Sequence, residues 1–540
     1  MMNYLKLIVI ILFHLFICKN SFSQPQTEWV QRFNSPGNYD DYVTDMAIDK
    51  SGNVYLTGYV FINDSNQNIV TIKYNTFGVQ QWARYYDSPD HREDKSTCIA
   101  VDDSGNVIVA GTSYMYSSSY DYLTIKYNSF GDSLWVRRNT EGLSLSSMAL
   151  DKNGNIYETG IKFGLNSEDI MTVKYDIRGD LIWLRYFNGT ADGFDIPLKI
   201  YVDNNSNSYI SGQTSENFSL VPKGIVIKYR ENGDEVWAMH PPSAFVIFTS
   251  KVDDSQNVFS VGHSEPNNNT DISILKLDSI GSLIWQRKYN RSDTVPDQDD
   301  FYSDYTLDNN RNSIFTCLNS DNVLRWDIAT VKYNQNGDFL WAKIFGSFSS
   351  NDESKSIITD KLGNVYVCGF KDDGLFPKYL TIKYNPLGDL LWFSTYNNNF
   401  PFGSHKANKI LSDTIGNIYV TGVSQGSITG DDIATIKYSQ LTKIENESEN
   451  ISNHFNLLQN YPNPFNSTTL FPINISDKSF VTLKVFNYLG QEISLLINEY
   501  KNKGNYNILF DASNFPSGLY FCSLFINGVF NDTKKLLLIK

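Results

Sequence analysis

Positive charge is in short supply in this chain. Its 540 residues include 45 Lys and Arg against 59 Asp and Glu, which gives a formal net charge of −14. Proteins that bind nucleic acid neutralise its phosphates with clustered Lys and Arg, and no such cluster occurs after the first few residues. The sequence therefore predicts that nucleic acid is not a partner.

Cysteine and histidine are also scarce, with five Cys and six His in the whole chain. Four of the cysteines (Cys98, Cys317, Cys368 and Cys522) lack the close spacing of a metal site or a disulfide framework. The first three lie in apolar strand contexts, where a free thiol packs as a small hydrophobic group. The sequence contains no Gly-x-Ser-x-Gly, His-Glu-x-x-His or phosphate-loop motif. These absences predict no catalytic residues and no cofactor.

The N-terminus has the features of a secretory signal. Lys6 precedes an apolar run over residues 7–17, and Ser21-Phe22-Ser23 has the small-x-small pattern of a cleavage site. The run is too short to span a bilayer as a permanent helix. The bulky Ile17 before Cys18 disfavours a lipoprotein signal. We expect residues 1–23 to be a signal peptide that is cleaved near Ser23.

A triplet of the form Ile-Lys-Tyr recurs along most of the chain. Its Lys occurs eight times at separations of 48 to 56 residues, and after each of the first seven copies a Gly follows five residues on and a Trp nine residues on. This fixed spacing predicts one hairpin repeated without insertion, in which Gly supplies the turn. We expect the lysines to be ion-paired structural elements and the tryptophans to pack between neighbouring sheets. The lysines are Lys73, Lys126, Lys174, Lys228, Lys276, Lys332, Lys383 and Lys437.

A second fixed unit precedes each triplet, in which an Asp is followed four residues later by Asn, usually as Gly-Asn. It lacks the alternating carboxylates and terminal Glu of a Ca²⁺ loop, so it predicts a hairpin turn. In three copies Ser206, Gln256 and Arg311 replace the Gly, which we expect to weaken those turns. Each repeat then holds four short antiparallel strands, which is typical of a β-propeller blade.

The two ends of the repeat region are incomplete in complementary ways. Lys437 has no Trp after it, while an unpartnered strand containing Trp29 stands near the N-terminus. The simplest inference is that this strand completes the last blade, which removes free sheet edges. We therefore predict an all-β fold, with an eight-bladed β-propeller over residues 24–440 that is closed by the N-terminal strand. A β-helical solenoid, the competing repeat architecture, has shorter coils and needs dedicated caps.

The connections between the fixed hairpins vary in length. Because strand direction alternates within a blade, the variable connections share one face, which makes that face the candidate binding surface. One interpretation is an anionic, aromatic mouth that holds Ca²⁺, a cationic ligand or a sugar. The other, which the acidic composition favours, is a set of solvated loops. The candidate ligand residues are Tyr114, Tyr116, Tyr120, Asp293, Asp297, Asp299 and Asp300.

Two segments of the second repeat resemble the β-propeller repeats of bacterial secreted proteins. They are Asp-Tyr-Leu-Thr-Ile-Lys-Tyr (121–127) and Asp-Asp-Ser-Gly-Asn-Val-Ile-Val-Ala-Gly-Thr-Ser (102–113). The resemblance extends over about residues 28–438. It implies a scaffold or binding role and carries no agreed active site.

The periodicity stops after Tyr438. Residues 441–454 are polar and predict a linker. Residues 455–540 alternate in strand fashion with turn residues between, which suggests a small immunoglobulin-like β-sandwich. The motifs of this segment are Tyr461-Pro462-Asn463-Pro464-Phe465-Asn466, a turn at Gly490, and Gly518 with Tyr520.

These C-terminal motifs are similar to the type A C-terminal sorting domain of the type IX secretion system of Bacteroidetes. The resemblance implies that the type IX secretion machinery is a partner. It also implies passage across the outer membrane to the medium or the cell surface, often with removal of the domain. The alternative is an ordinary immunoglobulin-like adhesion module.

Taken together, the patterns favour a non-enzymatic, secreted or surface-displayed binding scaffold whose partner is an extracellular glycan or protein. The alternative is a propeller hydrolase or lyase that acts on extracellular polysaccharide, with acidic loop residues as acid and base. Carboxylates that converge in one pocket on the variable face would favour the enzyme, and dispersed side chains would favour the scaffold.

Overall fold

The structure, a computed structural model, describes residues 25–439, 456–458 and 460–540. The description excludes residues 64–65, 116–118, 165–166, 190–192, 216–221, 243, 265–269, 291–299, 321–325, 347–350, 373, 375, 399, 401, 461, 476 and 488–490. The predicted signal peptide and linker therefore lie outside the described residues, as do Tyr116, Asp293, Asp297, Asp299, Tyr461 and Gly490. The chain divides into two compact units, Met1–Lys443 and Ile444–Lys540.

All regular elements in the described residues are β-strands, and no helix among them is long and apolar enough to span a membrane. The first strand, β1 (Gln26–Phe33), belongs to the last sheet of the first unit. Sheet 1 consists of β2 (Asp41–Ile48), β3 (Val54–Asn63), β4 (Asn66–Tyr74) and β5 (Gln80–Tyr86). Sheet 2 consists of β6 (Asp94–Val101), β7 (Val107–Met115), β8 (Ser119–Tyr127) and β9 (Ser133–Asn139). Sheet 3 consists of β10 (Ser144–Leu150), β11 (Ile156–Phe163), β12 (Glu168–Tyr175) and β13 (Leu181–Phe187).

The next four sheets repeat the same order. Sheet 4 consists of β14 (Asp195–Val202), β15 (Ser208–Thr214), β16 (Lys223–Tyr229) and β17 (Glu235–Met239). Sheet 5 consists of β18 (Ala244–Val252), β19 (Val258–Ser264), β20 (Ile272–Leu277) and β21 (Leu283–Tyr289). Sheet 6 consists of β22 (Asp300–Leu307), β23 (Ser313–Ser320), β24 (Trp326–Tyr333) and β25 (Phe339–Phe345). Sheet 7 consists of β26 (Glu353–Thr359), β27 (Val365–Asp372), β28 (Pro377–Tyr384) and β29 (Leu390–Tyr396).

Sheet 8 joins the two ends of the repeat region. It contains β30 (His405–Ser412), β31 (Ile418–Gln425) and β32 (Asp431–Ser439), and β1 pairs with β32 as its fourth strand. In this antiparallel register Trp29 lies opposite Lys437, which confirms the predicted pairing of the N-terminal strand with the last repeat. The first unit thus contains eight four-stranded antiparallel sheets in its described residues.

The first strands of the eight sheets form a closed cycle of contacts. Each of these strands contacts the first strand of the next sheet, and β30 of sheet 8 contacts β2 of sheet 1. We call β2, β6, β10, β14, β18, β22, β26 and β30 the inner strands. The buried apolar core lies between successive sheets. The cluster of Tyr55, Trp82, Ile99 and Val109, for example, joins sheets 1 and 2.

The fixed turns have the same hydrogen bonds in every sheet. In the turn between β2 and β3, one carboxylate oxygen of Asp49 accepts hydrogen bonds from the amides of Ser51 and Asn53, both at 2.9 Å. The equivalent aspartates of the other seven sheets accept the same pair of bonds. Gly52 takes a left-handed φ of +81°. Ser206, Gln256 and Arg311 keep this conformation at φ 61°, at a cost of about 1–2 kcal/mol each.

The repeat tryptophan lies in the fourth strand of its sheet. Where the next sheet has a glycine in the turn between its third and fourth strands, the tryptophan ring packs against that glycine. The ring of Trp82 in β5 lies against Gly131 of sheet 2, and its Nε1 donates a hydrogen bond to the Ser129 carbonyl at 3.1 Å. A Cβ added at Gly131 would lie 2.8 Å from that ring. The same contact joins each sheet to the next from sheet 1 to sheet 7, and across the closure Trp29 lies against Gly78. Between sheets 7 and 8, Trp392 packs instead in a buried cluster with Ile418 and Tyr438. The prediction that the tryptophans pack between sheets is confirmed.

The repeat lysines have structural partners. Lys126 lies 3.0 Å from the turn carboxylate of Asp102 and donates to the Ile177 carbonyl of the next sheet at 3.2 Å. Lys332 forms the equivalent ion pair with Asp308 at 2.8 Å. The prediction of ion-paired structural lysines is confirmed in these two sheets, with the turn aspartate as the partner.

The second unit contains two sheets around one core. Its strands are β33 (Asn456–Leu457), β34 (Thr468–Ile475), β35 (Ser479–Asn487), β36 (Glu492–Lys501), β37 (Gly504–Asp511), β38 (Gly518–Ile526) and β39 (Val529–Leu538). One sheet has the order β33-β34-β37 and the other β36-β35-β38-β39. Phe471 and Phe510 of the first sheet share a buried cluster with Leu483, Cys522 and Leu536 of the second. The four cysteines in the described residues are free and buried, as expected for Cys98, Cys317 and Cys368.

Candidate functional site

A cavity of about 860 Å³ opens where the inner strands begin, at the end of the sheets that carries the variable connections. Residues from sheets 1, 2, 3 and 8 line it, and we call it the loop-end pocket. Its lining includes Tyr59, Glu93, Lys95, Tyr120 and Asn408, with Leu145 and several Ser and Thr side chains between them. A concave site that mixes apolar surface with a few polar groups is the usual form of a small-molecule site.

Glu93 is at the centre of the polar contacts in this pocket. Its carboxylate forms an ion pair with Lys95 and accepts a hydrogen bond from the Tyr120 hydroxyl at 2.9 Å. The Lys95 ammonium also lies 5.3 Å from the centre of the Tyr59 ring, which is within the range of a cation–π interaction. These contacts hold two tyrosines, one acid and one base in a single connected group.

The protonation states in the pocket follow from these contacts. Burial alone would raise the pKa of Glu93, but the hydrogen bonds from Lys95 and Tyr120 outweigh it and hold that pKa below its usual value. Burial raises the pKa of Tyr59, and burial together with the bond to Glu93 raises that of Tyr120. At neutral pH the pocket therefore presents an ionised carboxylate beside two neutral phenols.

Further aromatic rings pack against the two tyrosines of the pocket. Tyr42 stacks on Tyr59 with ring centres 5.3 Å apart, and Phe61 meets both rings edge-on. On the other side Tyr114 meets Tyr120 edge-on at 4.8 Å, and the Arg92 guanidinium lies 5.2 Å from the Tyr114 ring centre. The aromatic surface thus continues from β3 of sheet 1 to β8 of sheet 2.

The structure separates the predicted ligand residues that it describes. Tyr114 and Tyr120 lie together, and Tyr120 lines the loop-end pocket. Asp300 instead lies at the start of β22 and is 1% exposed. Its carboxylate accepts a hydrogen bond from the side-chain amide of Asn319, which fixes the start of that strand. Asp94 has the equivalent place in sheet 2, where its carboxylate accepts a hydrogen bond from the Ser88 amide at 2.6 Å. Asp195 does the same for Gly189 in sheet 4.

Sequence reasoning missed several members of the pocket. Tyr59 and Lys95 lie within strands, and Asn408 lies in an inner strand of the last sheet, far from the others in sequence. All three lie near the loop end of their strands. Asn408 lies at the bulge in β30 and Lys95 next to the bulge in β6, and Tyr59 lies opposite Tyr42, next to the bulge of the neighbouring strand β2. Bulges are frequent beside functional sites because they redirect side chains.

The described residues contain no group of three or more His, Cys, Asp or Glu side chains placed to hold a metal ion. The repeated turn aspartates use their oxygens on the amides of their own turns. The Ca²⁺ hypothesis for the acidic loop at 293–299 concerns residues outside the described part of the chain.

In the second unit the predicted sorting motif is tied to the last strand. Asn463 accepts a hydrogen bond from the Leu537 amide at 2.9 Å and donates one to the Lys535 carbonyl at 3.1 Å. Phe465 is 2% exposed and pairs its backbone with β39. Tyr520 is buried in β38 and donates a hydrogen bond to the Pro516 carbonyl at 2.7 Å. Pro462 and Asn466 flank this segment at the surface.

Comparison with solved structures finds proteins of low sequence identity. PorZ, a surface component of the type IX secretion system of Porphyromonas gingivalis, is 12% identical, with 94% of this chain and 60% of that chain covered and a TM-score of 0.38. The β-propeller domain of the trilobed protease from Pyrococcus furiosus is 10% identical, with coverage of 66% and 96% and a TM-score of 0.40. Sqt1 from Chaetomium thermophilum is 10% identical, with coverage of 77% and 99% and a TM-score of 0.46.

No curated protein matches the sequence. Family models match two regions. Residues 28–59 and 340–369 match the beta-propeller repeat, and residues 459–540 match the secretion system C-terminal sorting domain. This sorting domain points to secretion and the cell surface. The chain therefore carries β-propeller repeats followed by a type IX secretion system C-terminal sorting domain.

Proposed function

We propose that this protein is a secreted or surface-displayed binding protein that holds an extracellular saccharide in its loop-end pocket. The eight sheets of the first unit form a closed eight-bladed β-propeller that displays the pocket. The second unit is an immunoglobulin-like sorting domain that the type IX secretion machinery recognises. The single observation that carries the binding role is the connected group of Glu93, Lys95, Tyr59 and Tyr120 in one cavity.

The closed cycle of inner-strand contacts supports the ring. Each of the eight sheets packs on the next and sheet 8 packs on sheet 1, as expected of sheets arranged around one axis. The core across the closure supports it as well, because Phe33 and Ile433 of sheet 8 share a buried cluster with Val43 and Met46 of sheet 1. A solenoid would leave its first and last sheets apart.

The chemistry of the pocket favours a saccharide. The C–H face of a pyranose ring packs on aromatic rings such as those of Tyr59 and Tyr120, which present large apolar surfaces with polar tips. An ionised Glu93 accepts hydrogen bonds from sugar hydroxyls, and the Asn408 amide both donates and accepts them. The volume of about 860 Å³ is enough for a short oligosaccharide.

We propose binding rather than hydrolysis for this site. Glycoside hydrolysis in most families needs a pair of carboxyl groups flanking the scissile bond, one of them with a raised pKa. Glu93 is the one carboxylate in the described lining of the pocket, and its pKa is lowered. These features support a binding role.

A glycan array probed with the mature chain tests this proposal. We expect Glu93→Gln and Tyr120→Ala to weaken binding of the captured glycan by about tenfold or more, because each removes a charged or aromatic contact. Phe130→Ala is the matched control, since Phe130 is an exposed aromatic residue of the same sheet, in a fixed turn at the opposite end. Equal binding by all variants would contradict a site in the loop-end pocket, and release of cleaved glycan would assign catalysis to the protein instead.

For the whole chain we propose a signal peptide at 1–23, a propeller at 24–440, a linker at 441–454 and a sorting domain at 455–540. The family match over residues 459–540 supports the last of these. A periplasmic reporter fused to residues 455–540 is expected to reach the cell surface in a host that has the type IX machinery. The same reporter without these residues is the control, and retention of the fusion in the periplasm would refute the assignment.

A further inference from the structure

Charged side chains occupy equivalent positions on four inner strands. Asp45, Lys199, Asp304 and Lys409 each follow directly after the bulge in the first strand of sheets 1, 4, 6 and 8. In sheet 5 the charge is shifted two residues along the strand, to Lys251. Because the inner strands contact one another in a closed cycle, these five positions surround one axis.

The two carboxylates of this group are already engaged by neighbouring sheets. Asp45 forms an ion pair with Lys409 of sheet 8 at 3.1 Å and accepts a hydrogen bond from the Ile99 amide of sheet 2 at 3.2 Å. Asp304 accepts hydrogen bonds from the Ser356 hydroxyl at 2.9 Å and the Ile357 amide at 3.0 Å, both in sheet 7. Both acids therefore act as links between sheets.

Lys199 and Lys251 lack such partners. Neither ammonium group has a carboxylate within ion-pair distance among the described residues, and the Nζ of Lys251 lies 5.5 Å from the centre of the Tyr201 ring. The charges of Asp304, Lys409 and Lys199, which belong to sheets 6, 8 and 4, all affect the pKa of Lys251. Sheets 5 and 8 are not neighbours, so these side chains face one another across the interior of the cycle.

The electrostatics of the group favour an anion. Three lysines and two aspartates leave it with a net positive charge, in a chain whose own net charge is −14. Burial lowers the pKa of Lys251; Asp304 opposes this, and the ammonium groups of Lys409 and Lys199 add to it. An anion between the unmatched lysines would relieve this repulsion, because opposite charges attract strongly where water is partly excluded.

We propose that the axis of the propeller holds a second site, in which Lys199 and Lys251 bind a small oxyanion that is either free or carried on an acidic sugar. The inference rests on the ring arrangement of the proposed function but not on the loop-end pocket. Lys199 is exposed, so the site is open to solvent from within the ring. Lys409 stays engaged with Asp45 and adds to the positive potential.

Calorimetric titration of the full mature chain at constant ionic strength tests the site, with inorganic sulfate in one arm and glucuronate in the other. We expect the wild type to bind at least one of them, and Lys199→Gln to weaken that binding by about tenfold or more through loss of a charged hydrogen bond. Lys251→Gln is expected to do the same. Lys152→Gln, which removes an equally positive and exposed side chain in a fixed turn of sheet 3, is the matched control and should bind as the wild type does.

The two arms also identify the source of the anion. Sulfate binding indicates a free oxyanion, and tighter glucuronate binding indicates an anion carried on a sugar; both support the site. Failure of the wild type to bind either ligand would overturn the proposal, as would binding that the Lys199 and Lys251 variants leave unchanged. Binding of glycans by the Tyr120→Ala variant tests the loop-end pocket independently of Lys199 and Lys251. The failure of one proposed site is therefore distinguishable from the failure of the other.

Discussion

The contact between each tryptophan and the glycine turn of the next sheet makes a quantitative prediction. Gly131 and Gly105 are both turn glycines of sheet 2 with left-handed φ values of +83° and +78°. A Cβ at Gly131 would lie 2.8 Å from the Trp82 ring, whereas a Cβ at Gly105 would have the Ser129 Cβ as its nearest neighbour at 3.8 Å. Alanine at either position therefore tests the same backbone strain, but only alanine at Gly131 also disturbs the contact between sheets.

In both Gly→Ala variants the left-handed backbone conformation costs about 1–2 kcal/mol of folding free energy. This cost is offset by about 0.5–1 kcal/mol, because alanine has less conformational entropy than glycine to lose when the chain folds. Only Gly131→Ala adds overpacking, which costs about 1–3 kcal/mol. We expect the free energy of unfolding of Gly131→Ala to fall about 1–3 kcal/mol below that of Gly105→Ala.

Urea unfolding followed by tryptophan fluorescence measures this difference. All nine tryptophans precede residue 393, so the signal reports on the first unit alone. Equal destabilisation of the two variants would refute the idea that the tryptophan contacts hold successive sheets together.

Three further outcomes are expected. Deletion of residues 24–34 removes the partner of β32 and the contact of Trp29 with Gly78, so the melting temperature should fall sharply; an unchanged melting curve would count against the closure. Glu158 is fully buried, and burial raises its pKa from 4.5 to about 7. The folded chain then keeps a proton that the unfolded chain loses, so up to about 3 kcal/mol of stability is present below about pH 4.5 and is lost as the pH rises through about 7. Glu158→Gln should flatten this dependence in urea midpoints measured at about pH 5 and 8, and a slope equal to that of the wild type would contradict it. Phe465→Ala should destabilise the second unit by about 3–5 kcal/mol through a core cavity, seen as faster proteolysis of that unit, whereas Leu458→Ala at an exposed position should not.

Much of the first unit was predictable from the sequence because its turns are local. The bonds from the turn aspartate reach only two and four residues along the chain, so the spacing alone identifies the hairpins. The pairing of the Trp29 strand with the last repeat was predictable for a related reason, since one end of the repeat region lacks the strand that the other end has in excess. The sorting motif was recognisable because it is contiguous.

The candidate site was only partly predictable. Tyr120 was identified from a tyrosine-rich loop. Tyr59 of sheet 1 and Asn408 of sheet 8 line the same cavity only because sheets 1, 2 and 8 pack on one another. Lys95 lies in the sheet of Tyr120 but two strands earlier in the chain. The role of Asp300 depends on a bond to Asn319 in the adjacent strand, which composition does not reveal.

The sequence by itself determined the repeating hairpins, the strand shared between the two ends and the sorting tail, because each depends on short-range spacing or on a contiguous motif. The tertiary structure decided which acidic residues are buried braces and which line a cavity. It also decided which lysines are neutralised, because those outcomes depend on the distance between side chains of different sheets. Burial and charge pairing arise from packing between sheets, and packing has no counterpart in the order of residues within one repeat.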